Sequence, residues 1–272
     1  MNMSSLFFYQ DHDFDMGHNL DTVPYTYPFT MHTHNTTEIL YLLKGRGTLH
    51  VEGSTYNIEP GDLFIAAPLE AHYIELDCSV PYERMVLHFY TDFFQDMDIG
   101  SYLLAPFLQR KMGKNNLYKS HLFKAGCQPY WDIIMSPIGN TRANLISGLL
   151  PLLNELYHIS ITLERDSDSS ADTLEYRILR YINNNLSSQI SLDAICSEYY
   201  ISKPHLCRLF KKATGSTVWH YITVKRLMIA KELLLKGEKP TAVHAQCGFH
   251  DYSSFYRAYL KQFGCSPCEE TK

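Results

Sequence analysis

From about Glu38 to Phe89 the chain reads as short strands separated by turns at Lys44-Gly45-Arg46-Gly47, Glu52-Gly53-Ser54 and Glu59-Pro60-Gly61-Asp62. Strands and turns at that spacing predict an antiparallel barrel or sandwich. After Asp92 the period changes, and Asn144 to Leu163 carries apolar residues at helical spacing, with Pro151 as a kink or helix start. So much apolar surface on one helix needs a partner, which makes 144–163 the expected dimerisation element. The following run, from Glu164 to Asp172, is small, polar and aperiodic and predicts a solvated linker. From Thr173 onward the pattern is helices joined by short turns. The longest spans about Val218 to Lys236, with Ile222, Leu227, Ala230, Leu233 and Leu234 on its apolar stripe.

The fold expected is therefore α+β in two domains: an antiparallel barrel with trailing helices over 1–165, a linker over 166–172, and an all-α domain over 173–272. Within the last, Ser191 caps a short helix, and the turn at Tyr199-Tyr200-Ile201 leads to Ser202 as a second cap. The second helix turns Leu206, Leu209, Phe210 and Ala213 to one face and Lys203, Pro204, Cys207, Arg208 and Lys211 to the other. About 49 residues later the arrangement returns, with Asp251 as cap, Phe255, Ala258 and Tyr259 inward, and Tyr252, Ser253, Tyr256, Arg257 and Lys261 outward. Such self-similarity marks a duplicated unit, over about 191–212 and 240–262. One amphipathic helix pair is ordinary packing. Two in tandem, each with an outward Arg, fit a pair of helix-turn-helix readers entering successive major grooves roughly 34 Å apart.

Composition sharpens this division. The 272 residues carry a net charge of -5, but 1–171 hold 10 Lys and Arg against 20 Asp and Glu, and 172–272 hold 14 against 9. A first part at -10 and a second at +5 leave only the second suited to a polyanion. Apolar content of 45% and charged content of 19% are those of a soluble globular chain, and no apolar run approaches a membrane span. The N-terminus lacks the features of a secretory signal, so the expected location is the cytoplasm, with no membrane partner. Seven scattered cysteines fit reduced thiols, and Cys265-x-x-Cys268 has no second pair with which to hold zinc.

Residues 191–267 resemble the AraC/XylS DNA-binding domain. The likeness runs through Leu206-x-Arg208-Leu209-Phe210-Lys211-Lys212-x-x-Gly215, Tyr221-x4-Arg226-Leu227-x2-Ala230 and Gly248-Phe249-x-Asp251-x-Ser253-x-Phe255-x-Arg257. The resemblance implies base contacts from Pro204, Cys207, Arg208, Tyr252, Ser253, Tyr256 and Arg257. Phosphate contacts then fall to Lys203, Lys211, Lys212 and Lys261. It also implies a double-stranded DNA partner, a homodimer, activation, and contact with RNA polymerase. The second unit departs from the family pattern at Pro240 and His244, and the chain lacks the family's closing aromatic-Arg pair.

In the first half, His32 and His34 stand two apart on an expected strand and share a face, and Glu38 and His72 complete a convergent polar set. His32-x-His34-x3-Glu38-x6-Gly45, then Pro60-Gly61-Asp62 and Pro68-x3-His72, resembles the small cupin barrel. In enzymatic cupins such positions hold a divalent metal, whereas in AraC-type sensors the barrel binds an organic effector, commonly a sugar. With the DNA-binding half attached, the expected site is an effector pocket of His32, His34, Glu38, His72, Tyr25 and Tyr41. No metal or other cofactor is favoured; a metal would take His32, His34, Glu38 and His72. Each of these histidines also reads as a hydrogen-bonded barrel residue, and the tyrosines as core. The rival functions are a metal-dependent cupin enzyme with a helical appendage and a regulator without effector.

Overall fold

The computed structural model describes residues 3–24, 31–96, 100–166 and 173–270. Among the described residues nine strands are found: β1 (Met3–Gln10), β2 (Phe14–Asp21), β3 (Thr37–Lys44), β4 (Gly47–Val51), β5 (Ser54–Ile58), β6 (Leu63–Ala66), β7 (His72–Leu76), β8 (Tyr82–Phe89) and, after three short helical segments, β9 (Leu117–Tyr118). They form a six-stranded sheet in the order β1-β2-β8-β3-β6-β9 and a three-stranded sheet in the order β5-β4-β7. Every pair is antiparallel. The barrel expected from the turn spacing thus takes the form of two sheets, whose ladders do not join into a closed ring among the described residues.

The central strand β3 explains the layering. Its Thr-Glu-Ile-Leu-Tyr-Leu run is buried on both faces, which is why it reads as a nearly continuous apolar stretch. Leu40 and Leu42 pack with Leu49, Val51, Ile58, Phe64 and Ala66 between the sheets. Ile39 and Tyr41, on the opposite face, pack with Leu63, Ile65 and Leu87 against helices. The helices are α1 (Asp92–Asp96), α2 (Ala105–Leu108), α3 (Gln128–Ile134) and α4 (Thr141–Asp166).

Helix α4 contains the predicted 144–163 stretch and runs through Pro151. Its apolar stripe was expected to meet a second copy; instead Leu145, Leu149, Leu152, Leu153 and Leu156 are at most 1% exposed in the core that α3 and the six-stranded sheet share. The physical reason is close approach within the chain. At Gly148 a Cβ would lie 2.5 Å from Ile134 and 2.7 Å from the Tyr130 carbonyl, so the glycine lets α3 lie directly on α4. Asp166 closes α4, and 167–172, the rest of the expected linker, lie outside the described residues.

The second half is helical: α5 (Leu174–Asn184), α6 (Leu192–Tyr199), α7 (Lys203–Thr214), α8 (Val218–Leu235), α9 (Pro240–Gln246) and α10 (Tyr252–Phe263). Side chains of Thr173, Ser191, Ser202, Thr217 and Asp251 each cap a helix by accepting from the amide three residues on, which satisfies donors a helix start leaves open. Helix α8 is apolar nearly all round because it serves two cores. Tyr221 and Ile222 belong to the first, with Ile178, Ile195, Leu206 and Phe210. Leu227, Ala230 and Leu234 belong to the second, with Val243, Phe255 and Tyr259. The departure at Pro240 is harmless to the fold, since it opens α9 where no helical partner exists for an N–H.

Candidate functional site

The polar set of the first half converges on Glu38. This residue opens β3, opposite His88 on β8 and Ala66 on β6, and shares the inter-sheet face with Leu40 and Leu42. His72 opens β7 and is bridged through its backbone to His32. His34 Nε2 lies 2.8 Å from Glu38 Oε2, His72 Nε2 3.0 Å and His88 Nε2 3.7 Å. The His32 ring meets His72 edge-on with centroids 4.4 Å apart, and His34 meets His88 at 4.8 Å. Glu38 and His72 are buried, His34 and His88 half-buried, and His32 exposed, so the cluster has a solvent side.

Hydrogen-bond accounting shows what this arrangement can hold. His34 Nδ1 is 2.8 Å from the Thr36 carbonyl oxygen, and His72 Nδ1 is 2.8 Å from that of Glu70. A ring nitrogen facing a carbonyl carries the proton, so in a neutral ring each Nε2 turns a lone pair towards the carboxylate. His72 Nε2 is buried and lies 3.0 Å from the Glu38 carboxylate, a contact that satisfies both atoms only when the ring is charged. Two states relieve this: charged imidazoliums around the carboxylate, or a cation between the rings and Glu38. Burial alone would raise the Glu38 pKa, but the His72 charge and the hydrogen bonds of His34, His72 and His88 outweigh it and hold the carboxyl well below its usual range. Burial would likewise lower His72 and His88, and Glu38 outweighs it to raise both. Ligand atoms of His34, Glu38 and His88 lie within 4.8 Å of one another. Three imidazoles and a carboxylate, with two rings oriented by backbone carbonyls, suit a divalent transition metal.

The structure therefore brings together His32, His34, Glu38 and His72, and adds His88. It does not bring in Tyr41, whose ring stacks on Trp131 with centroids 6.0 Å apart in the opposite core. Strand alternation is the reason: three residues from Glu38, Tyr41 must face the other way. Tyr25 lies outside the described residues. A small apolar cavity of about 10 Å3 lies between the sheets, lined by Leu40, Leu42, Leu49, Phe64 and Ile74 among others.

Sequence reasoning also missed Glu70, which is fully buried. It accepts from Arg110 Nη1 at 2.8 Å and Nη2 at 2.5 Å, from Asn116 Nδ2 at 2.9 Å, and from the amides of Gly113 and Ala67. The only sequence signal was a Glu in an otherwise apolar turn between strands.

In the second half, Lys203, Pro204, Cys207, Arg208, Lys211 and Lys212 are exposed along α7. Ser253, Tyr256, Arg257 and Lys261 are exposed on α10. Tyr252 is half-buried, edge-on to His244 at 5.7 Å and tilted against Phe255 at 6.0 Å. His244 of α9 thus packs against α10 through Tyr252. Lys203 pairs with Asp193 at 2.7 Å, both exposed, an interaction that solvent screening leaves weak.

A buried carboxylate ringed by histidines in a two-sheet domain, joined to a basic half that carries two tandem helix pairs, is the arrangement of a sensor domain beside a DNA-binding one. Residues 24–124 match the AraC-like ligand binding domain, and residues 195–272 match a helix-turn-helix domain. The chain belongs to the AraC family of transcription regulators. The probable transcriptional regulator LumQ of Photobacterium leiognathi is 27% identical over 249 residues, covering 88% of this chain and 90% of that protein. The HTH-type transcriptional activator RhaR of Salmonella dublin is 25% identical, covering 91% and 90%. Among solved structures, unsaturated fatty acid bound ToxT of Vibrio cholerae aligns over 97% of this chain and 96% of its own at 16% identity, with a TM-score of 0.43. LumQ and RhaR are named as transcription regulators, which answers the enzyme alternative. No helix among the described residues is long and apolar enough to cross a membrane.

Proposed function

We propose that this regulator is a cytoplasmic activator that binds a small polar effector at the His32, His34, Glu38, His72 and His88 cluster and reads two successive major grooves with α7 and α10. The observation that carries the effector reading is the cluster itself: a buried carboxylate and four imidazoles with one solvent side. Vicinal hydroxyls of a carbohydrate both donate and accept, as such a set requires. On DNA, Arg208 and Arg257 suit guanine, and Pro204, Cys207, Tyr252, Ser253 and Tyr256 lie along the same base-facing edges, while Lys203, Lys211, Lys212 and Lys261 suit phosphates. A homodimer that contacts RNA polymerase completes the proposal; with the α4 stripe spent on the chain's own core, a dimer contact through α4 falls to its outer face, where Ser147, Asn154 and His158 are exposed.

The Nε2 accounting favours a second reading, a divalent metal held by His34, Glu38, His72 and His88. Bound there, it would present a Lewis-acidic point to the effector. The test is a thermal-shift screen of chelator-treated full chain against monosaccharides, aromatic acids and divalent metals. A ligand at 100 times its dissociation constant stabilises by about 2.7 kcal/mol. A sugar or acid response lost in His34→Ala is the expected result. A response to metal alone supports the second reading, and no response to either overturns both in favour of a regulator without effector.

A further inference from the structure

The tip of the β4–β5 hairpin is built against local preference. Val51 pairs with Ser54, so Glu52 and Gly53 form a two-residue loop, and both have positive φ, 45° and 81°. This loop type favours Asn, Asp or Gly at both places. A Glu there accepts backbone strain in return for its side chain.

That side chain leaves its own domain. Glu52 Oε1 accepts from Lys225 Nζ at 2.5 Å and from the Ala71 amide at 2.8 Å; Oε2 accepts from the Tyr221 hydroxyl at 2.5 Å and from Asn183 Nδ2 at 3.3 Å. Lys225 and Tyr221 belong to α8, and Asn183 to α5. The Glu52 and Lys225 side chains are 2% and 1% exposed. At Gly53 a Cβ would lie 2.8 Å from Leu179, and at Gly215 one would lie 2.9 Å from Tyr73, so backbone from each domain touches the other. Met31, Ala71 and Tyr73 enter the core of the first helix-turn-helix unit. Their strand neighbours His32 and His72 face the cluster around Glu38. Alternation along two bridged segments thus turns one face to the ligand site and the other to the DNA-binding domain.

We propose that Glu52 is a carboxylate plug that docks the sensor domain onto α5 and α8 and couples the 31–32 and 70–73 segments to the first reading unit. Among the described residues, the core of the second unit, built around Phe255 and Tyr259, contains no residue of the sensor domain. The docked arrangement restrains α7 relative to the sensor, and withdrawal of Glu52 frees it.

The test uses the full chain with Glu52→Gln, Lys225→Met, and the double variant that carries both. Hydrogen exchange is followed over 70–73 and 213–225, and affinity is measured by fluorescence anisotropy on duplexes selected by the wild type. Each single variant should speed exchange in both segments about tenfold and shift affinity severalfold, and the double variant, which leaves no unpaired buried charge, should lose less than the two singles together. Unchanged exchange in Glu52→Gln, or a double variant whose loss equals the sum of the singles, overturns the docking. His72→Ala should speed exchange over 213–225 as well. This arm alone rests on the effector-site reading, and its failure beside intact docking arms overturns the coupling to that site. Absence of any ligand response, by contrast, leaves the docking arms untouched.

Discussion

Arg208 and Lys212 sit four residues apart on α7, and both are exposed, yet their chemistry assigns different work. A guanidinium matches the two acceptors of guanine, whereas an ammonium acts as a point charge. Arg208→Ala is expected to cost roughly 1–3 kcal/mol on the selected sequence and to relax preference at one base pair. Equal losses on selected and random duplexes would refute the base contact. Residue identity alone carried this distinction. It did not carry Tyr41 or His88: with strand limits unfixed, Tyr41 looked like a pocket residue, and His88 lies 50 positions from its partner Glu38. Only the β3–β8 register puts that histidine opposite the carboxylate.

At the scale of elements, strongly patterned helices were legible to within a few residues, as α8 and the two reading helices show. The hairpin of β1 and β2 was not. Its strands mix polar and apolar residues, and its turn is held by a side chain far away in sequence. Asp11 accepts from the amides of Asp13 and Phe14 at 2.9 Å, from the Tyr9 hydroxyl at 2.6 Å, and from Arg142 of α4. Burial would raise its pKa, but these partners outweigh that and hold it at about 2, against an ordinary value of 3.8. A depressed carboxyl stabilises the fold above its unfolded pKa and loses that contribution as pH falls through the folded value. Asp11→Asn should therefore be less stable than wild type at neutral pH, and the difference should close as pH drops from about 4 towards about 2. Denaturant midpoints across that range check this; a gap as wide at the acid end as at neutral pH would contradict it.

For the whole molecule, the division into a part at -10 and a part at +5 means that only one half attracts DNA. Binding should weaken linearly in log affinity against log salt, with a slope of roughly 0.9 per phosphate contacted. Lys212→Ala should reduce that slope by about 1 and weaken all sequences alike. Titrations at several salt concentrations decide it, and an unaltered slope would remove Lys212 from the phosphate set.

The sequence by itself determined the two-domain division, the tandem helix pairs, the outward faces of α7 and α10, and four of the five members of the cluster that Glu38 centres. These are local properties, written in periodicity, capping residues and short spacings. Tertiary structure alone decided that the α4 stripe is consumed within the chain, that Glu70 is satisfied by Arg110, and that Glu52 is shared with Lys225. The two ion pairs join groups 40 and 173 residues apart, and a buried charge is legible only once its partner is in place, because burial without one costs more than folding can return.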